Sequence, residues 1–263
     1  DFPPVVKAPG GVRMRLEALS ARNDKGVEAL KEFSLELHAG EIVGLAGVDG
    51  NGQKELCEVL TGLRPSSGGR ILLDDQDISG RDPAFYIEQH ISHIPEDRHT
   101  TGLAMNWSLK NNLILKQLGR EPVSRHHLVQ KKVAEEIWDK AHSEYQIKAI
   151  SGDDLARVLS GGNQQKVILA REINSDPRVL IANQPTRGLD VGAAEYVRTK
   201  ILEARNSGTS CLLVSADMEE LLQLSDRIAV IYGGQLMGIL PRGADPMAIG
   251  RLMMGKREQE VGA

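Results

Sequence analysis

The sequence predicts an α/β fold, in which a mostly parallel sheet with helices on its faces carries a helical insertion. An apolar run at 41–47 leads into a glycine-rich loop and then an amphipathic segment, the order strand, loop, helix. Apolar runs at 178–182, 210–215 and 227–231 alternate with helical stretches, and this alternation favours a parallel sheet. Between 97 and 176 helical periodicity dominates instead, which predicts the insertion.

The first part of the chain is rich in strand-like patches. Apolar or alternating residues predict strands or strand-turn segments at 12–19, 33–37, 41–47, 68–78 and 91–95. The amphipathic segment 54–63 is the predicted helix that follows the glycine loop.

The insertion and the last part of the chain add mainly helices. Helical periodicity is found at 108–118, 126–142, 192–206 and 217–224. Two glycines at 233–234 predict a turn into a final hairpin strand, QLMGIL.

Composition excludes several classes of protein. The chain has a formal net charge of −4 and 26% charged residues, which gives no basic field for nucleic acid. No apolar run approaches the roughly 18 residues of a membrane helix, and the seven histidines have no metal-ligand spacing, so we expect no metal centre in this chain. Cys57 and Cys211 lie in separate apolar runs and are expected to be buried thiols. The proline- and glycine-containing residues 1–11 are expected to be a linker.

The stretch GVDGNGQKEL at 47–56 has the glycine spacing of a phosphate-binding loop. Such a loop follows G-x-x-x-x-G-K-[ST], where backbone N–H groups surround the phosphates. Gly47 and Gly52 are the two fixed glycines, and Gly50 and Asn51 lie between them. A plain strand-to-helix turn is the alternative interpretation of this stretch alone.

The residues after Gly52 depart from the motif. Gln53 stands in place of the lysine, Lys54 in place of the hydroxyl that holds Mg²⁺, and Glu55 follows. A register shifted by one residue would require glycine at 48, where the sequence has Val48. We therefore expect the backbone cradle to persist without its chemistry, and hypothesise that Glu55 partly takes the role of the anion.

A second constellation is VLSGGNQQKVILAREI at 158–173. Ser160, Gly161 and Gly162 open a predicted helix, so that a hydroxyl and free N–H groups lie at a positive helix end, where anions bind. A serine-capped helix without a ligand is the structural alternative. Downstream, the strand RVLIA and the string NQPTRGLD follow.

These strings together resemble the nucleotide-binding domain of ABC transporters, from about residue 12 to 242. LSGGNQ is similar to the ABC signature, with an extra Asn163 relative to the commoner LSGGQ. GVDGNGQ, HIPEDRHTTGL and QPTRGLDVGA are similar to the degenerate C-terminal half of the fused ATPase of simple-sugar and purine-nucleoside importers. The resemblance implies a RecA-like P-loop core at 12–96 and 177–242, a helical signature subdomain at 97–176 and a C-terminal tail at 243–263.

The resemblance also implies roles that this sequence has lost. The Asp and Glu that normally end the strand at 178–182 are replaced by Asn183 and Gln184, and the histidine after the strand at 210–215 by Ala216. Glu96 replaces a glutamine. With Gln53, these changes predict that the chain's own site has no catalytic residue and binds nucleotide weakly or not at all.

Other roles are retained. The resemblance implies that Ser160, Gly161, Gly162, Asn163 and Gln164 act in trans, on ATP and Mg²⁺ held by the loop of a second ABC domain on the same or another polypeptide. Asp190 would lie in the loop that links the two sites, and Glu96, Asp97 and Arg98 would contact membrane permease subunits. A substrate-binding lipoprotein is then an indirect partner, and the chain lies at the cytoplasmic face of the membrane. The alternatives are an independently active ABC ATPase and an ABC protein outside transport.

Overall fold

The structure is a computed structural model that describes residues 8–126 and 128–256. Residues 1–7 of the predicted linker and 257–263 of the predicted tail lie outside the described residues. The described chain forms two compact units, one of 8–93, 177–184 and 201–256, the other of 94–176 and 185–200. Each is described here by itself.

The elements follow the chain in this order. The first part comprises β1 (Val12–Arg22), β2 (Glu28–His38), β3 (Ile42–Ala46), α1 (Gln53–Val59), β4 (Gly68–Leu73), β5 (Gln76–Asp77), α2 (Pro83–Glu88) and β6 (Ile91–Ile94). The middle comprises a π-helical turn (Arg98–Gly102), α3 (Leu109–Ile114), a 3₁₀ turn (Leu115–Gln117), β7 (Ser124–Arg125), β8 (Leu128–Val129), α4 (Lys131–Glu144), a 3₁₀ turn (Ala156–Val158) and α5 (Gly161–Ile173). The last part comprises β9 (Val179–Asn183), α6 (Val191–Asn206), β10 (Ser210–Val214), α7 (Met218–Leu224), β11 (Arg227–Tyr232), β12 (Gln235–Pro241) and α8 (Pro246–Met253).

The central sheet has six strands in the order β12-β11-β3-β10-β9-β6. β11, β3, β10 and β9 run parallel to one another, whereas β12 is antiparallel to β11. All five residues of each of β3, β9 and β10 are buried, as expected for parallel strands covered on both faces. The predicted mostly parallel sheet is confirmed.

A second, antiparallel sheet belongs to the same unit. Its four strands lie in the order β2-β1-β4-β5. Its buried residues share one hydrophobic core with the central sheet, as Met14 and Phe33 do with Leu45 and Leu212. The sequence predicted its strands but not that they form a separate sheet. Both cysteines are free and buried, and burial raises the pKa of Cys57 to about 12 and that of Cys211 further.

The helical unit contains α3, α4 and α5. The helix predicted to start at residue 126 starts at Lys131 instead, because His126 has a positive φ of 49° and Gln130 N–H donates to Val123 O at 2.8 Å. The segment before α4 therefore forms the short β7–β8 hairpin. In the predicted tail, Asp245 caps α8, whose Ile249 and Leu252 are buried.

The compact units divide the chain differently from the predicted subdomains in two places. Residues 94–96 and 185–200 belong to the helical unit. The second segment joins that unit because it contacts α5: Gln165 Nε2 donates to Pro185 O at 2.8 Å, and Lys166 Nζ lies 4.7 Å from the centroid of the Tyr196 ring. Within the described residues, no helix has both the length and the apolar character to cross a membrane.

A buried ion pair holds the beginning of β3, the strand that leads to the glycine loop. Asp226 Oδ2 accepts from Ile42 N–H at 2.9 Å and from Arg205 Nε at 3.1 Å, and Asp226 Oδ1 accepts from Arg205 Nη2 at 2.5 Å. Arg205 is 2% exposed. Arg242 also approaches Asp226, at 3.5 Å, but its side chain is 48% exposed.

We expect Arg205→Ala to lower the free energy of unfolding by about 3–5 kcal/mol, because Asp226, whose side chain is 13% exposed, loses its buried charge partner. The matched control, Arg242→Ala, should cost less than about 1 kcal/mol, since an exposed pair is screened by water. Urea unfolding followed by circular dichroism measures both, and equal losses would contradict this account.

Candidate functional site

The glycine loop lies between β3 and α1, at the carboxyl end of the parallel sheet. Gly52 precedes α1 with a φ of 105°, and a Cβ there would lie 2.5 Å from Ala29 O. Gly50 also has a positive φ, of 86°. Glycine is required at 52 by both conformation and space.

The side chain of Gln53 fills this loop. Its Nε2 donates to Val48 O at 3.0 Å, and its Oε1 accepts from Asn51 N–H at 3.1 Å. Gln53 is 8% exposed, and a Cβ at Gly47 would lie 2.7 Å from Gln53 Nε2. A loop N–H of the kind that surrounds phosphate is thus already bonded to a neutral acceptor.

Asn51 ties the same loop to the turn between β11 and β12. Asn51 Nδ2 donates to Val48 O at 2.7 Å, while Asn51 Oδ1 accepts from Gly233 N–H at 2.6 Å. Gly234 N–H donates to Asn51 O at 3.1 Å. The loop is therefore held from inside by Gln53 and from outside by this turn.

Lys54 takes part in an exposed ion-pair network instead of binding the loop. Its ammonium lies 3.4 Å from Asp24 Oδ2 and 3.8 Å from Glu58 Oε1, and Arg64 pairs with both carboxylates. Arg64 first, and then Lys54, hold the pKa of Asp24 below its usual range. Glu55 is half-buried in the first turn of α1, and the acceptor of the Asn51 N–H inside the loop is Gln53. A role of Glu55 in place of the anion stays a hypothesis.

Asn183 ends β9 and Gln184 follows it, while Ala216 comes shortly after the neighbouring strand β10, at the same sheet edge. Gln184 has a φ of 50°, and its Oε1 accepts from Ala216 N–H at 3.1 Å. Asn183 is 7% exposed. A neutral amide cannot accept a proton from water at neutral pH, and it is a weaker Mg²⁺ ligand than a carboxylate. These residues and the filled loop do not fit a hydrolysing Mg²⁺–ATP site.

The signature residues begin α5 in the helical unit. Ser160 precedes the helix with extended backbone, and its hydroxyl does not cap it. Asn163 Nδ2 donates to Ser160 Oγ at 2.9 Å, and Asn163 Oδ1 accepts from Lys148 N–H at 2.7 Å. Gln164 is buried and bonds to Ala156 O and to His99 Nε2. The N–H groups of the first helical turn have no acceptor within the helix.

A cleft of about 410 Å³ opens beside Ser160, between the beginnings of α5 and α6. Its lining residues are Gln146, Lys148, Ser160, Gly162, Asn163, Lys166, Asp190, Gly192, Ala193 and Tyr196. Asp190 Oδ1 accepts from Ala193 N–H at 2.8 Å, and a Cβ at Gly162 would lie 3.1 Å from Ala193 Cβ. The predicted inter-site aspartate and signature thus lie together in one unit.

The cleft is cationic on one side. Lys166 Nζ donates to Gln146 O at 3.0 Å, and burial, with the neighbouring Lys148, lowers the pKa of Lys166. Sequence reasoning missed Lys148, Lys166 and Tyr196 as site residues. Lys166 lies within the signature string and could have been found there, whereas Tyr196 carries no local signal.

The predicted coupling residues are bonded within the helical unit. Asp97 accepts from His99 N–H and Thr100 N–H, and its hydrogen bonds with Thr100 and His99 lower its pKa. Arg98 Nη1 donates to Arg187 O at 2.7 Å, while the Arg187 guanidinium pairs with Glu96. The structure thus gives each of the three residues an internal contact.

Comparisons with known proteins agree with this geometry. A family model described as ABC transporter matches residues 30–187. The chain is 42% identical over 258 residues to the guanosine import ATP-binding protein NupO of Bacillus subtilis (strain 168), covering 97% of this chain and 50% of that protein. It is 42% identical over 257 residues to the glucose import ATP-binding protein TsgD13 of Haloferax volcanii, covering 94% and 46%. A solved nucleotide-free ATP-binding cassette from an ABC transporter superposes with a TM-score of 0.77 at 20% identity, covering 96% of this chain and 100% of that one.

The fold is that of an ATP-binding cassette, a RecA-like P-loop core with helices. The chain belongs to the ABC transporter family. Both the fold and the family inferred from the motifs are confirmed. The chain spans about half the length of these two relatives.

We expect Gln53→Lys combined with Glu55→Thr to strengthen ATP binding, because the Gln53 carboxamide leaves the loop, a cation takes its place, and the negative charge of Glu55 beside the loop is removed. Titration calorimetry of this chain with ATP and Mg²⁺ measures the change. Equal or weaker binding would contradict the account of the loop.

Two control variants separate the causes. Gln76→Lys with Glu28→Thr makes the same change in net charge at exposed positions and should leave binding unchanged. Glu55→Thr alone should also have little effect, since Gln53 remains in the loop.

Proposed function

We propose that this chain is the nucleotide-binding domain of an ABC importer for nucleosides or simple sugars, with an inactive site of its own. It supplies the signature to ATP held by a second ABC domain. One contrast carries the proposal: Gln53 closes the chain's own loop, whereas Ser160 lines an open, partly cationic cleft.

Import is proposed from the relatives. Guanosine and glucose import proteins match this chain with the same identity of 42%, which supports the substrate class nucleoside or sugar without choosing between them. A permease in the membrane is then the direct partner, and a substrate-binding lipoprotein the indirect one. The domain would lie at the cytoplasmic face of the membrane, with Glu96, Asp97 and Arg98 at the permease.

The chain's own site lacks the groups for hydrolysis. Loss of a general base alone typically costs about 10²–10⁴ in rate, and losses within one catalytic unit overlap. Gln184 cannot act as the base, Asn183 offers Mg²⁺ a neutral oxygen, and Ala216 offers the phosphate no side-chain group. We therefore propose weak or no nucleotide binding here and no turnover.

At the partner's site, this chain contributes donors and positive potential. The Ser160 hydroxyl and the N–H groups of Gly161 and Gly162 lie at the positive end of α5, which favours a phosphate group. ATP and Mg²⁺, when bound by the partner, supply the phosphoryl group and its counter-charge. Stabilising charge that develops on that group is how such donors raise a rate.

Ser160→Ala should lower the ATPase activity of the complete complex by about 10²-fold, by analogy with the loss of one preorganised donor. Gln53→Ala should change it little, because the loop at 47–52 takes no part in turnover. Steady-state ATP hydrolysis by the complex with its permease measures both. A large loss for Gln53→Ala with a small one for Ser160→Ala would overturn the assignment.

A further inference from the structure

Asn163, the residue that follows Gly162 in the signature string, bridges two parts of the helical unit. On one side its Nδ2 lies 2.9 Å from Ser160 Oγ, and on the other its Oδ1 lies 2.7 Å from Lys148 N. Asn163 is half-buried beside the cleft that Ser160 and Lys148 also line. The bond from Lys148 joins α5 to the segment after α4, and the bond to Ser160 lies within the beginning of α5.

The bond to Lys148 determines which way the amide faces. A backbone N–H can only donate, so the atom of Asn163 next to Lys148 N must be the oxygen. The NH₂ group therefore faces Ser160 and donates to it. Lys148 thus sets the direction of the hydrogen bond at Ser160.

This direction decides what the Ser160 hydroxyl has left to offer. A hydroxyl has one hydrogen to donate and two lone pairs to accept with. Ser160 Oγ accepts from Asn163 and does not cap α5, and no acceptor for its hydrogen is found in 8–126 or 128–256. Its hydrogen is available to a group in the cleft.

We propose that Asn163 is a positioning residue, which orients the Ser160 hydroxyl as a donor towards an anionic group in the cleft. This proposal rests on the proposed function, in which the anionic group is the terminal phosphate of ATP held by the partner domain. Asn163 itself does not touch the phosphate. The competing explanation is that Asn163 only ties α5 to the segment around Lys148.

Two substitutions separate these explanations. Asn163→Asp keeps an oxygen for Lys148 N–H but replaces the donor to Ser160 with an acceptor, which would draw the hydroxyl hydrogen away from the cleft. Asn163→Ala removes both bonds. A structural tie would be preserved by Asp and broken by Ala, whereas positioning fails in both.

The experiment measures kcat and KM for ATP in the complete complex with its partner domain and permease. We expect kcat to fall about tenfold for Asn163→Ala, the size of one net hydrogen bond, and at least as much for Asn163→Asp. Asn174→Ala, at the other end of α5, loses its bond from the Tyr145 hydroxyl and should keep kcat unchanged. Wild-type kcat for Asn163→Asp overturns the proposal.

A Ser160→Ala background tests whether Asn163 acts through Ser160. There, Asn163→Ala and Asn163→Asp should have little further effect on kcat, because the group they orient is gone. An unchanged tenfold loss for Asn163→Asp in that background would mean simple charge repulsion and would overturn the proposal. If Ser160→Ala itself leaves activity intact, the proposed function fails instead. Thermal melting of each variant confirms that it is folded.

Discussion

The hydrogen bonds between the Gln53 carboxamide and its own loop determine which polar groups the glycine loop can offer to a ligand. A primary amide carries a donor and an acceptor, so one side chain serves both Val48 O and Asn51 N–H. A lysine at the same position could serve only the carbonyl and would leave the N–H for an anion. Asn183 and Gln184, at the same edge of the sheet, are likewise neutral.

The polar groups of the two compact units therefore differ in whether they are bonded to one another. In the core unit, polar groups near the sheet edge bond to one another, as Gln184 does to Ala216. In the helical unit, Ser160 and the first turn of α5 keep donors for another molecule, and Lys166 adds a cation beside them. This difference supports the proposal that the chain stabilises an anion held by a different protein.

Much of the fold could be predicted from sequence because its signals are local. β3, β9 and β10 are continuous apolar runs, motif spacing identified the substitution at Gln53, and the resemblance to ABC domains identified that at Asn183. What the Gln53 side chain does could not be predicted, since the closed loop also depends on Gly233, which lies 182 residues from Asn51 in the chain. The Lys148–Asn163 bond could not be predicted for the same reason. It depends on how α5 packs against the segment around Lys148, and no sequence pattern indicates which backbone N–H an amide will meet.

The ties between Asn51 and the β11–β12 turn have a thermodynamic consequence. A fold that binds a ligand gains stability that grows with the logarithm of ligand concentration. In this loop the Asn51 N–H is already bonded to Gln53, and Asn51 Oδ1 to Gly233 N–H. Under the proposed function the loop binds little or no nucleotide, and the stability of the core unit is then independent of the ATP concentration. On the same proposal, any sensitivity of the assembly to ATP concentration enters through the partner domain, and this domain is the part whose stability stays constant.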